Sequence, residues 1–305
     1  MKSIHHVKSI SEIHQLFELA KPKHPLVSVF RHADLVVPDS FIEQSFTTDL
    51  YMIGLKERQE AVVNYGRETY DFQEGTITFL SPNQVFSFNS ADFTKCKEEW
   101  TLVFHPDFIS KTNLGNEIDN CHFFSYETNE ALHVSEDEKL ALNDLILKIE
   151  KEYYQQIDKH TQEIICVNIE TVLKYCQRFY ARQFITRKLS NNRHLAKFES
   201  YLKKHFSQTL IEKGLPTVKQ CGEALNLSPH YLSDLLKEET GKNAKEHIDL
   251  FVIKKAKVQL QNQEFSISQV AFEMGFGYPN HFSKFFKSKT GLSPSEFRNL
   301  SVSEN

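Results

Sequence analysis

The sequence predicts an α+β chain: a strand-rich first part, a pair of helices, then an all-helical final third. Three observations predict it. Short β-branched and aromatic runs alternate with turn residues up to about His105. The apolar period becomes helical from Ser135. The last third contains an internal repeat. A length of 305 residues suits two domains. The 40% hydrophobic and 25% charged content is that of a folded chain rather than a disordered one.

The runs LVSVF, LYMIGL, AVVNYG, TITFL, VFSF and WTLVF are separated by Pro38, Asp39, Gly66, Gly75, Pro82 and Asn83. Short strands at this spacing predict a sandwich or small barrel. Ser135 and Glu138 then form an S-x-x-E capping box. Leu142, Leu145, Ile146 and Ile149 follow on one helical face. A second helix is predicted from about His160 to Gln183, with Ile164, Ile165, Asn168, Val172, Cys176 and Phe179 at helical spacing. This pair is expected to cover the barrel, to dimerise with a second copy, or both. RKLSNNRH (Arg187–His194) is polar and aperiodic, and is expected to be a linker. The domains are therefore expected at residues 1–186 and 195–305.

The repeat sets Thr217–Lys242 against Ser266–Leu292. Each copy opens with a capping box, Thr217 with Gln220 and Ser266 with Gln269. Each has a short helix ending near Leu225 or Met274, then a brief turn that is one residue longer in the second copy. A second helix starts at Pro229 or Pro279, where a missing N–H costs nothing. Leu232, Leu235 and Leu236 match Phe282, Phe285 and Phe286. Each copy stops at Thr-Gly, with Gly241 or Gly291 last. Helix, tight turn and helix is the plan of a helix-turn-helix, whose second helix enters a groove about 12 Å wide. His230, Ser233, Asp234 and Lys237, and Asn280, His281, Lys284 and Lys287, are expected to face outward. Asn243–Asn262 reads as a connecting helix. About 15 helical residues there give roughly 22 Å, enough with its turns to set the two second helices about one DNA turn apart.

Charge follows the same division. From Arg193 onward the chain has 16 Lys and Arg against 12 Asp and Glu, while the rest has 20 against 28. A basic end on an acidic body suits nucleic-acid contact through one domain.

Thr217–Arg298 resembles the C-terminal domain of AraC/XylS-type transcription regulators, most specifically in GFGYPNHFSKFFKSKTGLSPSEFR (Gly275–Arg298). The resemblance implies seven helices, two helix-turn-helix units and a connecting helix, bound to adjacent major-groove segments of double-stranded promoter DNA. It implies base readers Asn280, His281 and Lys284 in the second unit, with Ser283 beside them and Lys287 and Tyr278 near phosphate. In the first unit it implies Ser228, His230, Tyr231, Ser233, Asp234 and Lys237. Two positions depart from the family. Val252 stands where an Arg is common, a phosphate contact that Lys254 or Lys255 would replace. Gly222 stands where Ala is usual, and a helical Gly costs about 1 kcal/mol relative to Ala, so the first unit is expected to be less rigid. More loosely, GTITFLSPNQVFSF, EWTLVFHPDFI and FFSYETNEALHVS resemble the cupin-like sensing domains of such regulators. That implies a small β-barrel, a dimerising helical pair and control by a small-molecule effector or by homodimer formation.

The alternative is a cupin-type enzyme with an accessory helical domain. Metal-binding cupins usually present H-x-H, and none exists in this chain. NYGRETYDF (Asn64–Phe72) supplies no His in the matching place. There is no P-loop and no G-x-S-x-G. No catalytic residue, metal or cofactor is therefore expected. Trp100 is expected either in the core or lining a barrel pocket. Five widely spaced Cys without CxxC fit reduced thiols. No run approaches the roughly 20 apolar residues of a membrane span, and Met1–Leu26 lacks a signal-peptide pattern. A cytoplasmic location is expected by elimination.

Overall fold

The computed structural model describes residues 4–41, 44–56, 75–87, 98–127, 130–190, 193–207 and 214–303. The chain divides into two compact units, Met1–Gln183 and Phe184–Asn305.

The first unit is built on two sheets. One holds β1 (Ile4–Val7), β3 (Ser45–Thr48) and β6 (Phe86–Ser87), in the order β1-β3-β6. The other holds β2 (Val27–Arg31), β4 (Tyr51–Lys56), β5 (Thr76–Leu80), β7 (Trp100–Phe104) and β8 (Leu132–His133), in the order β2-β7-β4-β5-β8. Its pairings are antiparallel, with Val29 opposite Leu102 and Ile53 opposite both Leu102 and Phe79. The predicted strands match these positions, except that AVVNYG lies outside the described residues. β1, β3 and the two-residue β8 were not foreseen; at two to four residues they have little readable period.

β7 is buried along its whole length, and apart from the buried Thr101 its residues are all large and hydrophobic. Val103 joins Val7, Phe30, Phe46 and Leu50 in one core cluster. The first helix, α1 (Ile10–Leu16), is capped by Ser9 and adds Ile10 and Ile13 to it. Trp100 is fully buried, and its indole N–H donates to Asn143 Oδ1 at 2.8 Å. Trp100 is thus a core residue with its one polar atom satisfied.

Asn143 belongs to α4 (Glu136–Tyr153), which begins with the predicted Ser135–Glu138 capping box. α4 packs beside β2, where Arg31 meets Glu150 at 2.7 Å. Two short helices, α2 (Pro106–Ile109) and α3 (Asn113–Glu117), follow β7. The next long helix, α5 (Thr161–Ser190), is tied to the chain before α4. Gln183 Oε1 accepts from His133 N–H at 2.8 Å, and Arg182 donates to the His133 carbonyl at 2.7 Å. Arg182 also pairs with Glu138.

α5 corrects one expectation. The segment expected as a linker is helical through Ser190, and the next helix starts at Arg193. Polarity was misread as a break. Arg, Lys and Leu are good helix formers, and the segment contains neither Gly nor Pro.

A buried polar chain joins α1, β2 and α4. The backbone N–H of Lys23 donates to Tyr153 Oη, and Tyr153 Oη lies 3.3 Å from Ser28 Oγ. Ser28 Oγ is 2.8 Å from His14 Nε2, and His14 Nδ1 bonds the Ala20 carbonyl. A donor to a carbonyl at Nδ1 leaves Nε2 as an acceptor, so the neutral ring completes the chain. Burial holds the His14 pKa below its usual 6.5, partly offset by the Ala20 bond. Burial lowers His24 likewise. The native state therefore excludes protons that the unfolded chain accepts. Their stabilisation is complete above pH 6.5 and is lost as the pH falls below it. Thermal midpoints are expected to fall between pH 7.5 and 5.5, and to fall less in His14→Asn, whose amide retains a donor toward Ala20. An equal pH response in the variant would exclude His14 as a source.

His32 is a satisfied core residue, with Nδ1 2.7 Å from Glu99 and Nε2 2.7 Å from Thr101. Among the described residues no group of three or more His, Cys, Asp or Glu is placed to hold a metal ion. NYGRETYDF lies outside the described residues. No described helix is long and apolar enough to cross a membrane. The cysteines Cys121, Cys166, Cys176 and Cys221 are free and buried. Burial pushes the Cys121 thiol up to about 11 and Cys221 to about 12, so neither is a reactive thiolate at neutral pH.

Seven helices run through the described part of the second unit from residue 193: α6 (Arg193–Ser207), α7 (Val218–Leu225), α8 (Pro229–Thr240), α9 (Ala244–Gln261), α10 (Ile267–Glu273), α11 (Pro279–Thr290) and α12 (Pro294–Ser303). One core holds them. It gathers Phe198 and Leu202 of α6, Leu232 and Leu236 of α8, Ile248, Val252 and Ala256 of α9, and Phe282 and Phe286 of α11.

Candidate nucleic-acid interface

The two helix pairs, α7–α8 and α10–α11, are built by the same local chemistry. Thr217 with Gln220 and Ser266 with Gln269 both form complete capping boxes. The first helix of each pair ends in a left-handed residue, Asn226 at φ 57° or Gly275 at φ 84°. The next N–H turns back onto the helix: Leu227 donates to the Gly222 carbonyl at 2.9 Å, and Phe276 to the Ala271 carbonyl at 3.0 Å. The second helix opens on Pro229 or Pro279 and stops at a left-handed Gly, Gly241 at φ 77° or Gly291 at φ 80°. α8 and α11 are each twelve residues long. A residue and its counterpart fifty positions on therefore share one rotational phase.

That phase decides which side chains reach the surface. Leu232, Leu235, Leu236, Phe282 and Phe286 are buried. His230, Lys237, Tyr278, Asn280, His281, Lys284 and Lys287 are exposed, while Ser233, Asp234 and Ser283 are half-buried. Ser283 Oγ donates to the Pro279 carbonyl of its own helix at 3.0 Å. Tyr278 and His281 meet edge to face at 5.4 Å, which makes a small aromatic shelf at the start of α11.

Two of the twelve expected contact residues lie inside instead. Ser228 is buried as the N-cap of α8, where its hydroxyl accepts from Tyr231 N–H at 3.2 Å. Tyr231 is 1% exposed, with its ring edge to face against Phe184 at 5.1 Å. Its helical position beside Leu235, four residues on, places it on the packed side. Neither presents a side chain outward.

Further residues hold the outward helices in place. α9 has 18 residues, about 27 Å of rod rather than the shorter helix expected. Its Asp249 is buried and pairs with Lys289 of α11 at 2.8 Å and with Lys245 at 2.9 Å. Arg298 of α12 donates to the Leu260 carbonyl at 2.9 Å and the Phe265 carbonyl at 2.8 Å. It thus caps the end of α9 and pins the loop that leads into α10. The sequence reading missed both roles. The one signal for Asp249 was a carboxylate beside Ile248 on the apolar stripe. Val252 packs in the core. Lys255 donates to the Phe206 carbonyl at 3.2 Å, whereas Lys254 is exposed.

Two short helix pairs of one plan, joined by a rod, each have the form of helix, tight turn and helix. Residues 221–300 match the family model described as a helix-turn-helix domain. The second unit thus carries a helix-turn-helix domain. The transcriptional regulatory protein YesN of Bacillus subtilis is 40% identical over 78 residues, 25% of this chain and 21% of that protein. The HTH-type transcriptional activator RhaS of Enterobacter sp. is 24% identical over 256 residues, 82% of this chain and 85% of that protein. The solved C-terminal domain of AraT, a response regulator from Geobacillus stearothermophilus, is 30% identical, covers 36% of this chain and 86% of its own, and has a TM-score of 0.32. The chain thus spans about a fifth of the length of YesN.

Proposed function

We propose that the chain is a sequence-specific DNA-binding transcription regulator, and not an enzyme. α8 and α11 read two adjacent major-groove segments of promoter DNA. The observation that carries this reading is the shared phase of the two helices. Leu232, Leu236, Phe282 and Phe286 anchor them, and His230, Lys237, Asn280, His281, Lys284 and Lys287 lie on their outer sides. Asn and Lys at these places suit adenine and guanine edges, and Lys287 suits phosphate. α9 spaces the helices as a rod, and Lys254 adds a phosphate contact from it.

The first unit is read as a cupin-like sensing and dimerisation domain, with its two sheets as the barrel. A homodimer is favoured by Leu140 and Leu147 on α4 and Ile164 and Val167 on α5, apolar residues that are exposed at helical spacing. A small-molecule effector, acting on this unit in the cytoplasm, is the expected input.

Selection of bound sites from random duplex DNA tests the reading. Two conserved half-turns about one helical turn apart are the expected result. Asn280→Ala and Lys284→Ala should each weaken binding to the selected site by about 1–3 kcal/mol. Lys287→Ala should weaken binding to all sequences alike and lower the salt slope by about 1. Unchanged affinity in all three variants would remove α11 from the interface.

A further inference from the structure

The two outward helices share a geometry but carry opposite charge. α8 contains Asp234, Glu238 and Glu239 against Lys237, while α11 contains Lys284, Lys287 and Lys289 and no acid. The reversal falls on matched positions. Asp234 and Lys284 are each the sixth residue of a twelve-residue helix that opens on Pro. Each lies between anchors of the same pattern, Leu232 and Leu236 or Phe282 and Phe286, which are fully buried. Lys237 and Lys287 also match, and both are exposed. Lys284 is exposed and Asp234 half-buried, so the shared plan sets a partly covered carboxylate toward one DNA segment where it sets an exposed ammonium toward the other.

This difference has a direct chemical meaning in a major groove. Guanine offers N7 and O6, both acceptors, and thymine offers the acceptor O4. Cytosine offers an N4 amino donor. An ammonium at Lys284 is satisfied by guanine. A carboxylate at Asp234 accepts from the cytosine amino group and is repelled by the lone pairs of guanine and thymine. It also gains nothing from phosphates, whose neutralisation by Lys and Arg supplies the salt-dependent part of affinity.

We propose that the two units divide the labour: α11 grips, supplying most of the salt-dependent affinity, and α8 selects, with Asp234 accepting a hydrogen bond from a cytosine amino group in its half of the site. The inference rests on the DNA-binding reading above and names the base class that its first unit takes.

The test uses the full-length protein and the site selected from random duplexes. Every single-base variant of that site is measured at two or more salt concentrations. The expected parent shows a required cytosine in one half-site and a required guanine in the other. Asp234→Ala should lose the cytosine preference by roughly ten-fold. It should leave the salt slope unchanged, whereas Lys287→Ala lowers it. Asp234→Asn should move the preference toward adenine, which pairs with an amide in bidentate fashion. Lys284→Asp provides an independent arm on the other helix and should convert the guanine requirement into one for cytosine. Thermal midpoints equal to the parent's establish that the variants are folded. If a site is selected but Asp234→Ala, Asp234→Asn and Lys284→Asp all leave its base preferences intact, the division of labour is overturned while the DNA-binding reading stands. If no site is enriched, the underlying reading fails and this inference with it.

Discussion

Phe282→Ala is expected to destabilise the second unit by about 3–5 kcal/mol, the cost of emptying a fully buried aromatic site. Phe282 is 0% exposed and meets Phe276 at 5.4 Å and Phe286 at 5.8 Å. Its ring joins α11 to the turn that precedes it, so no nearby backbone is free to collapse into the space. Domains are stable by about 5–15 kcal/mol in all, and the loss would consume a large part of that. Urea unfolding should show the shift, and DNA affinity should fall for every sequence in proportion to the folded fraction. Asn280→Ala, two residues away on the exposed side, should leave unfolding unchanged while weakening binding. A Phe282→Ala protein as stable as the parent would mean that α11 is not anchored as described.

Gly222→Ala is expected to destabilise as well, by about 1–3 kcal/mol, the usual range for overpacking. Helix propensity alone predicts a gain of about 1 kcal/mol from this change. The surroundings of Gly222 decide the sign. A Cβ there would stand 2.5 Å from the Leu227 carbonyl oxygen, which is backbone and part of the tight turn. The turn would have to open, and the Leu227 N–H bond to the Gly222 carbonyl would lengthen with it. Ala271 holds the matching place in the other pair, where the turn is one residue longer and a Cβ is accommodated. Gly222 is therefore what allows the shorter turn, and the first unit is not the looser of the two on its account. A raised melting temperature in Gly222→Ala would restore the propensity argument.

The contrast between Gly222 and its neighbours shows what the sequence can carry. Thr217 with Gln220, Ser266 with Gln269 and Asn243 with Glu246 are local pairs three residues apart, and all three capping boxes are formed. Pro229, Pro279, Gly241 and Gly291 act on their own backbone and stand at the helix limits expected of them. The outward set His230, Lys237, Asn280, His281, Lys284 and Lys287 follows from helical phase alone. What failed depended on partners distant in sequence. Tyr231 is covered by Phe184, Asp249 is held by Lys289, and Arg298 reaches Leu260. Helical phase puts Tyr231 and Asp249 on the packed side of their helices, but no period or spacing announces the distant partners that they and Arg298 meet. The misjudged linker is a different error: Arg187–Ser190 contains neither Gly nor Pro, and α5 runs through it to Ser190.

The burial of Asp249 bears on how titrations with electrolyte should be interpreted. Mobile ions attenuate exposed charges beyond a Debye length of about 10 Å at 0.1 M, but act far less on pairs removed from solvent. Asp249 is shielded although its partner Lys289 is part-exposed, so sodium chloride should weaken the contacts to the duplex sooner than it releases α11 from its carboxylate anchor. Affinity lost on adding electrolyte would then count phosphate contacts rather than record a displaced helix.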